Sequence, residues 1–469
     1  MRSTDRSRPA RREPVRMQRI AVVAPVDRLR DALVGVARSG AVQLDDAVDG
    51  TVEGAAAAAL RRTGGSAAAA RLAAHPVDPV ALARSGRADL LAGEAQLERY
   101  AAGAVTDDGV AAWAGWCPAD RLERLRDTLA AVEAAAVSLR RPPGAVAPTL
   151  LRQDTAVRAS FAPLVSTYGT VPYADVDPTV FAGVAFIVMF GVMFADAGHG
   201  MLLVIAALVL RASHRPRWRR LRRMWPFVAG AGVASAVAGA ALGEFFGPTG
   251  VVPVQWLSPL DKPVRLLAAG VGLGALLLAV GYLVGTVNRW REGGARVALY
   301  APSGIAGAAL FAGLGALAVG LYLGHWAIAG PGAVVAGVAL ILAGAGLYAG
   351  SGGGGAGLAQ TGVQLFDLVI RLGANLVSFA RLAAFGLTHA ALGALVWAGV
   401  TVLWGAGGAA ALVGAVLLFV VGNAVTFGLE ALVAGIQALR LEYYELFSRV
   451  FEGEGRPFRP WTVEVEGVP

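Results

Sequence analysis

From Pro178 onward, apolar runs alternate with short polar links, at about 178–195, 197–210, 225–246, 266–288, 302–323, 333–349, 363–403 and 411–447. A bilayer takes about 20 helical residues at 1.5 Å each. The pattern therefore predicts a polytopic α-helical membrane domain of about eight transmembrane helices. The first two are short and separated only by ADAGHG at 195–200, while the last two are long and tilted. The preceding chain has a different rhythm. MQRIAVVAPVDRLRDALVGVARSGAVQLDD, from Met17, reads as strand, turn, amphipathic helix, second strand. Val48 to Ala102 is rich in Ala and Arg with a Thr-Gly-Gly break at 63–65, which predicts loosely joined helical arms rather than a packed core. VAAWAGWCPADRLERLRDTLAAVEAAAVSLRRP then repeats the scheme, with a strand ending at Trp116, a helix opening after Pro118 and a strand near Ala136. The expected organisation is a disordered basic tail at 1–16, a small N-terminal cytoplasmic α/β domain of two lobes with a shortened helical arm at 17–146, and a turn-rich linker at 147–177. A transmembrane domain at 178–450 and a cytoplasmic C-terminal tail at 451–469 complete it.

Two of the spans break the apolar rule in the same way. On a helix from Thr361 to Val400, Gln364, Asp367, Arg371, Asn375, Ser378, Arg381, Thr388 and His389 fall within an arc of roughly 140°. In the last span Asn423, Thr426, Glu430, Gln437, Arg440, Tyr444 and Ser448 fall within about 100°. A charge at bilayer depth costs about 2.5–3.5 kcal/mol on insertion scales, so its retention signals a partner or an ion path. A short Gly/Ala turn joins the two helices and makes them antiparallel neighbours. Between them they offer Arg381, Arg440, Glu430 and His389. Fixed positive charge beside exchangeable protons suits a proton path. The competing reading is an internal salt bridge between Glu430 and either arginine; for Arg371, near a helix end, it is snorkelling to the headgroups.

Composition narrows the function classes. The 469 residues are 56% hydrophobic with 62 glycines. The formal charge of +8 lies in links between spans, so it reads as topology rather than nucleic-acid binding. RASHRPRWRRLRRMW holds seven arginines and NRWREGGAR three, which places those ends and, with an even span count, both termini in the cytoplasm. The Gly-rich run 350–357 then leads flexibly into the first polar helix. Lys262 is the single lysine, which excludes a P-loop. Cys117 is the single cysteine, and His75, His199, His214, His325 and His389 are scattered without an HExxH pair, so no metal or other cofactor is expected. The basic segment before Met17 has no apolar core and is no signal peptide, and Met17 is an alternative start to Met1.

FAPLVSTYGTVPYADVDPT at 161–179, FGVMFADAGHG at 190–200, LVSFARLAAFGLTHAAL at 376–392 and LEALVAGIQALRLEYYELFSRVFEGEGRPFRPW at 429–461 resemble the membrane-embedded a subunit (subunit I) of rotary V-type and A-type ATPases. The similarity runs from Met17 to the C-terminus, with a weak patch at about 50–105. The resemblance implies a non-catalytic, proton-translocating stator subunit in a prokaryotic plasma membrane. Its implied partners are a proteolipid c-ring, peripheral stalk subunits and, indirectly, the central stalk and ATP-hydrolysing head. Arg381 and Arg440 match the arginines facing the rotor, and His389 and Glu430 match positions lining a half-channel. Gln437, Ser378, Asn423, Arg371, Asp196 and His199 are candidates for a supporting polar path, with a helix-cap or packing role as the alternative for the last two. Two departures stand out: the cytoplasmic domain is short where a coiled-coil arm would run, and Ala195 stands where Gly is common. The alternatives from other classes are a self-contained secondary transporter for an anionic substrate and a purely structural anchor.

Overall fold

The computed structural model describes residues 13–45, 54–64, 69–450 and 454–466, and the chain divides into two compact units. Most of the expected basic tail lies outside the described residues. Val15 and Arg16, however, hydrogen-bond to Leu150 and Ala119 within the first unit.

That α/β unit contains strands β1 (Met17–Pro25), β2 (Gln43–Leu44), β3 (Arg71–Ala73), β4 (Val105–Asp107), β5 (Val110–Pro118), β6 (Ala135–Ser138) and β7 (Glu464–Glu466). Its helices are α1 (Leu29–Ser39), α2 (Ala55–Arg62), α3 (Pro79–Arg84), α4 (Ala88–Ala102) and α5 (Leu122–Ala130). The two predicted strand–helix–strand runs interleave in one antiparallel sheet of order β2-β5-β1-β6, with β4 added to β5 by hairpin. The hairpin turn is Asp108-Gly109, both at positive φ, as a two-residue turn matched to strand twist requires. Period-two alternation puts Ile20, Val22 and Ala24 of β1 on the inner face, where Leu33 and Val36 of α1 and Leu125 and Leu129 of α5 cover them. Cys117 sits in this core, and burial pushes its thiol up to about 12.

Two expectations need revising. The stretch expected as loose arms buries Ala56, Ala59, Leu82, Leu90 and Leu91 in a small cluster of its own. A bidentate Arg30–Glu94 pair, at 2.6 and 2.7 Å, ties α4 to α1. The segment 454–466, expected as a tail, is part of the fold: β7 pairs in parallel with β3, and Trp461 is buried against Tyr100 with its indole N–H donated to Gln96. An aromatic side chain of that size gains more buried than exposed.

The helical unit contains α6 (Ala156–Tyr168), α7 (Thr179–Met193), α8 (Ala197–Ala212), α9 (Arg219–Arg222), α10 (Trp225–Leu242), α11 (Pro263–Tyr300), α12 (Ile305–Leu323), α13 (Trp326–Gly350), α14 (Gly354–Ser378), α15 (Ala380–Ala406), α16 (Ala409–Leu441) and α17 (Phe447–Val450). The linker is thus not all turn: Thr155 caps α6 by accepting from the Arg158 amide. Among the described residues six helical stretches are long and apolar enough to cross a bilayer, with α7 and α8 shorter apolar helices. α14 and α15 together count as one such stretch. Their junction at Phe379 tightens to i→i+3 bonds from Phe379 to Leu376 and from Leu382 to Phe379. α11 is kinked at Gly294, whose φ of 71° lies in the left-handed region.

The interior of this unit is a cluster of Phe186, Met189, Phe190, Met193, Phe194, Leu278, Phe379 and Leu441, where α7, α11, α15 and α16 meet. Its outside is apolar as well: Leu395, Val402, Leu417, Val420 and Leu432 are each more than half exposed. Such a surface is stable against hydrocarbon and not against water. This is an integral membrane protein.

Candidate functional site

α7 ends at Met193 because the next residues turn the chain into α8, and Asp196 is the hinge of that turn. Its carboxylate caps α8 by accepting from the His199 amide at 2.8 Å. The same group reaches the loop after α10, accepting from the amides of Phe246 (3.1 Å) and Gly247 (2.9 Å). Phe246 is a non-glycine at positive φ, and these bonds hold it there. The helices come close enough for this because Gly239 faces the Ala197 amide with no room for a side chain: an added Cβ would lie 2.2 Å from that nitrogen.

The long helices complete the cluster. His389 of α15 is buried, with Nε2 3.8 Å from Asp196 Oδ2 and Nδ1 bonded to the Glu430 carboxylate of α16. His199 lies with its ring 5.6 Å from that of His389, edge to face, and Nδ1 3.8 Å from Asp196 Oδ1. Phe194, Phe246 and Phe427 wall the two imidazoles at 5.2–5.7 Å between ring centroids. Asn423 of α16 is buried and gives its amide N–H to the Phe419 carbonyl. Sequence reading thus named all four members of this cluster, and the structure brings Asp196, His199, His389 and Glu430 together. The expected alternative of a Glu430–arginine bridge is not what forms, because the antiparallel register puts His389 opposite Glu430.

The arginines sit at another level. Arg381 precedes His389 by about two turns, or ~12 Å. Its guanidinium is 3.8 Å from Glu445, a buried residue beyond the expected stripe. Glu445 lies in a π-helical turn, Glu442–Leu446, that rotates the last residues of the chain's final membrane helix. A helical wheel of period 3.6 misses Glu445 for that reason; Glu442, which opens the turn, is buried as well. The i,i+4 relation of Glu445 to Leu441 within LRLEYYELF was the available hint. Arg440 is exposed among Leu429, Leu432 and Ile436 on an apolar face and makes no ion pair among the described residues. Gln437 keeps a buried side-chain oxygen without a partner, and Ser378 is half-buried just before the Phe379 junction.

Arg371 is brought to neither level. It pairs with Asp367 one turn earlier at 2.7 Å, both exposed. It lines a polar cavity of 390 Å³ with Gln364, Asp367, Asn375, Tyr444 and Arg449.

The class defined so far is an integral membrane protein whose polar side chains are concentrated between its last two apolar helices and a short helical hairpin. Residues 104–223 match the profile of the V-type ATPase 116kDa subunit family. The A-type ATP synthase subunit I of Aeropyrum pernix is 29% identical over 66% of this chain and 50% of its own length. That of Methanocaldococcus jannaschii is 26% identical over 75% of this chain and 55% of its own. A V-type ATP synthase subunit I 2 of Treponema pallidum is 36% identical over 24% of each chain. The resemblance is borne out as a similarity: this chain is similar to subunit I of V-type and A-type ATPases, and it spans about half the length of the archaeal relatives it matches.

Proposed function

We propose that this chain is the stator subunit of a proton-translocating V/A-type rotary ATPase, passing protons between the two sides of the membrane against a ring of proteolipid subunits. It takes no part in ATP chemistry itself. The observation that carries the reading is Arg440: a fixed cation on an exposed apolar helix face, without an ion pair among the described residues. Such a group needs an anionic partner in the membrane. A rotor carboxylate moving past that face meets the need. Arg381, beside buried Glu445, adds a second fixed charge at the same level.

The two polar levels fit two half-channels. One would start from the 390 Å³ cavity lined by Gln364, Asp367, Arg371, Asn375 and Tyr444. In the other, Glu430, His389, Asp196 and His199 provide adjacent groups that take and release protons. The arginines between them repel protons and prevent a direct leak. Peripheral stalk subunits hold the α/β unit, and both termini face the cytoplasm of a prokaryotic cell. ATP-driven acidification of vesicles bearing the assembled complex tests the reading, with Arg381→Ala and Arg440→Ala at matched assembly. Both variants lose pumping on this reading. Pumping at the parent rate in both would sink it.

A further inference from the structure

Asp196, His199 and His389 come from positions far apart in sequence, yet one ligating atom of each lies within 4.8 Å of the other two, and all three are buried. The arrangement is more specific than an acidic cluster. His199 is 2% exposed, and neither ring nitrogen has a hydrogen-bond partner. A buried imidazole is ordinarily satisfied at one nitrogen at least. Its ring is fixed by Phe194, Phe246 and Phe427, so it cannot turn away to find a partner. Asp196 is equally rigid, held by three backbone amides with lone pairs to spare. His389 spends Nδ1 on Glu430, which leaves Nε2 directed at Asp196 from 3.8 Å, too far for a hydrogen bond. A histidine oriented through one nitrogen by a carboxylate, with the other nitrogen free, is the arrangement seen behind metal ligands.

We infer that Asp196, His199 and His389 bind a divalent zinc-type cation, with Glu430 positioning His389 and water as the fourth ligand, and that the bound ion blocks the path these residues form. Two imidazoles and one carboxylate suit Zn²⁺ rather than Mg²⁺ or Ca²⁺, which take oxygen ligands. Zinc at about 2.0–2.2 Å from each donor brings the ligands to within ~3.5 Å of one another, so the triangle contracts by about 1 Å on binding. Ligation occupies the His389 nitrogen that faces Asp196 and keeps it from exchanging a proton there. The binding claim stands on geometry alone. The blocking claim rests on the proposed ion path.

The test is zinc titration of the full-length chain in lipid nanodiscs after chelation, read by calorimetry, with X-ray absorption at the zinc edge of the loaded protein. The expected result is one zinc per chain with two imidazole ligands, no sulfur, and oxygen completing the shell. His199→Gln weakens binding at least tenfold, and Glu430→Gln weakens it by about 10–100-fold through loss of positioning. Absence of stoichiometric binding, a shell without two imidazoles, or unchanged affinity in His199→Gln of native elution profile overturns the site. The absorption spectrum of the parent decides the matter even if the variants fail to fold. Zinc then inhibits ATP-driven acidification by the assembled complex, and His199→Gln raises the concentration needed at least tenfold. Tight binding without inhibition overturns the blocking claim alone. Failure of the arginine variants to affect pumping overturns the ion path and leaves the metal site standing.

Discussion

Replacing Asp196 by alanine should unfasten the hairpin between α7 and α8 rather than merely remove a charge. The carboxylate accepts from the amides of His199, Phe246 and Gly247 at 2.8, 3.1 and 2.9 Å. Each buried donor left unpaired costs about 1–3 kcal/mol, and loss of a helix N-cap alone costs about 0.5–2 kcal/mol. The loop also loses the bonds that keep Phe246 at positive φ. A local destabilisation of at least about 3 kcal/mol follows, equivalent to a factor of about 100 in the opening equilibrium. Hydrogen exchange of the full chain in nanodiscs reads this out segment by segment. Amides at 197–200 and 245–247 should exchange about a hundredfold faster, while those of α12 and α13, which share no bond with Asp196, keep the parent rate. Asp196→Asn retains one acceptor oxygen and should fall between. Parent-like protection of 245–247 in Asp196→Ala would refute the view that this carboxylate holds the loop.

Other outcomes follow from the same coordinates. Gly239→Val should prevent stable packing of α8 on α10, because its Cβ falls 2.2 Å from the Ala197 backbone; a single-species elution profile at the parent melting temperature would contradict this. Cys117 is buried with its thiol pushed up to about 12, so the folded chain should resist a thiol-specific reagent at pH 8 and react fully once denatured. Asp89 is held down to about 2, chiefly by its hydrogen bond to Arg87. A depressed carboxyl contributes stability that is complete above its unfolded pKa and fades as pH falls through the folded one. The difference in melting temperature between parent and Asp89→Asn should therefore shrink from about pH 4 to pH 2. It should be small throughout, since the pair is partly open to solvent.

The membrane helices were legible because bilayer thickness imposes a length and lipid imposes a composition, and both are local properties of the chain. The strand–helix–strand runs around Ile20 and Trp116 were legible for the same reason, since alternation is read within a few residues. β7 was not. Three residues carry no pattern of their own, and Glu464–Glu466 is a strand only because β3 is beside it. The attachment of α4 to α1 rests likewise on a distant contact, the Arg30–Glu94 pair, which joins residues 64 apart. At the site, helical periodicity identified which side chains share a face but not which face each other. His389 and Glu430 meet because they lie at comparable distances on either side of the Gly407-Gly408 turn, and placing that turn to within one residue decides the pairing. The π-helical turn shifts the phase of everything after Leu441, which hid Glu445 from an arc drawn at 100° per residue.

The strand and tryptophan contributed by 454–466 also bear on the order of biogenesis. A ribosome delivers β3, α4 and Tyr100 first and Trp461 and β7 last, with every membrane helix in between. Domains generally form as their residues emerge, yet this α/β unit stays open on one side until the final helix has left the translocon. A chain stalled anywhere in the helical unit presents an unpaired β3 edge and an uncovered Tyr100 and Leu97, the kind of surface that proteases and chaperones detect. Pairing of β7 with β3 thus reports that synthesis has passed Glu466, and a chain stopped before that point should be cleared by quality control before it can compete for assembly.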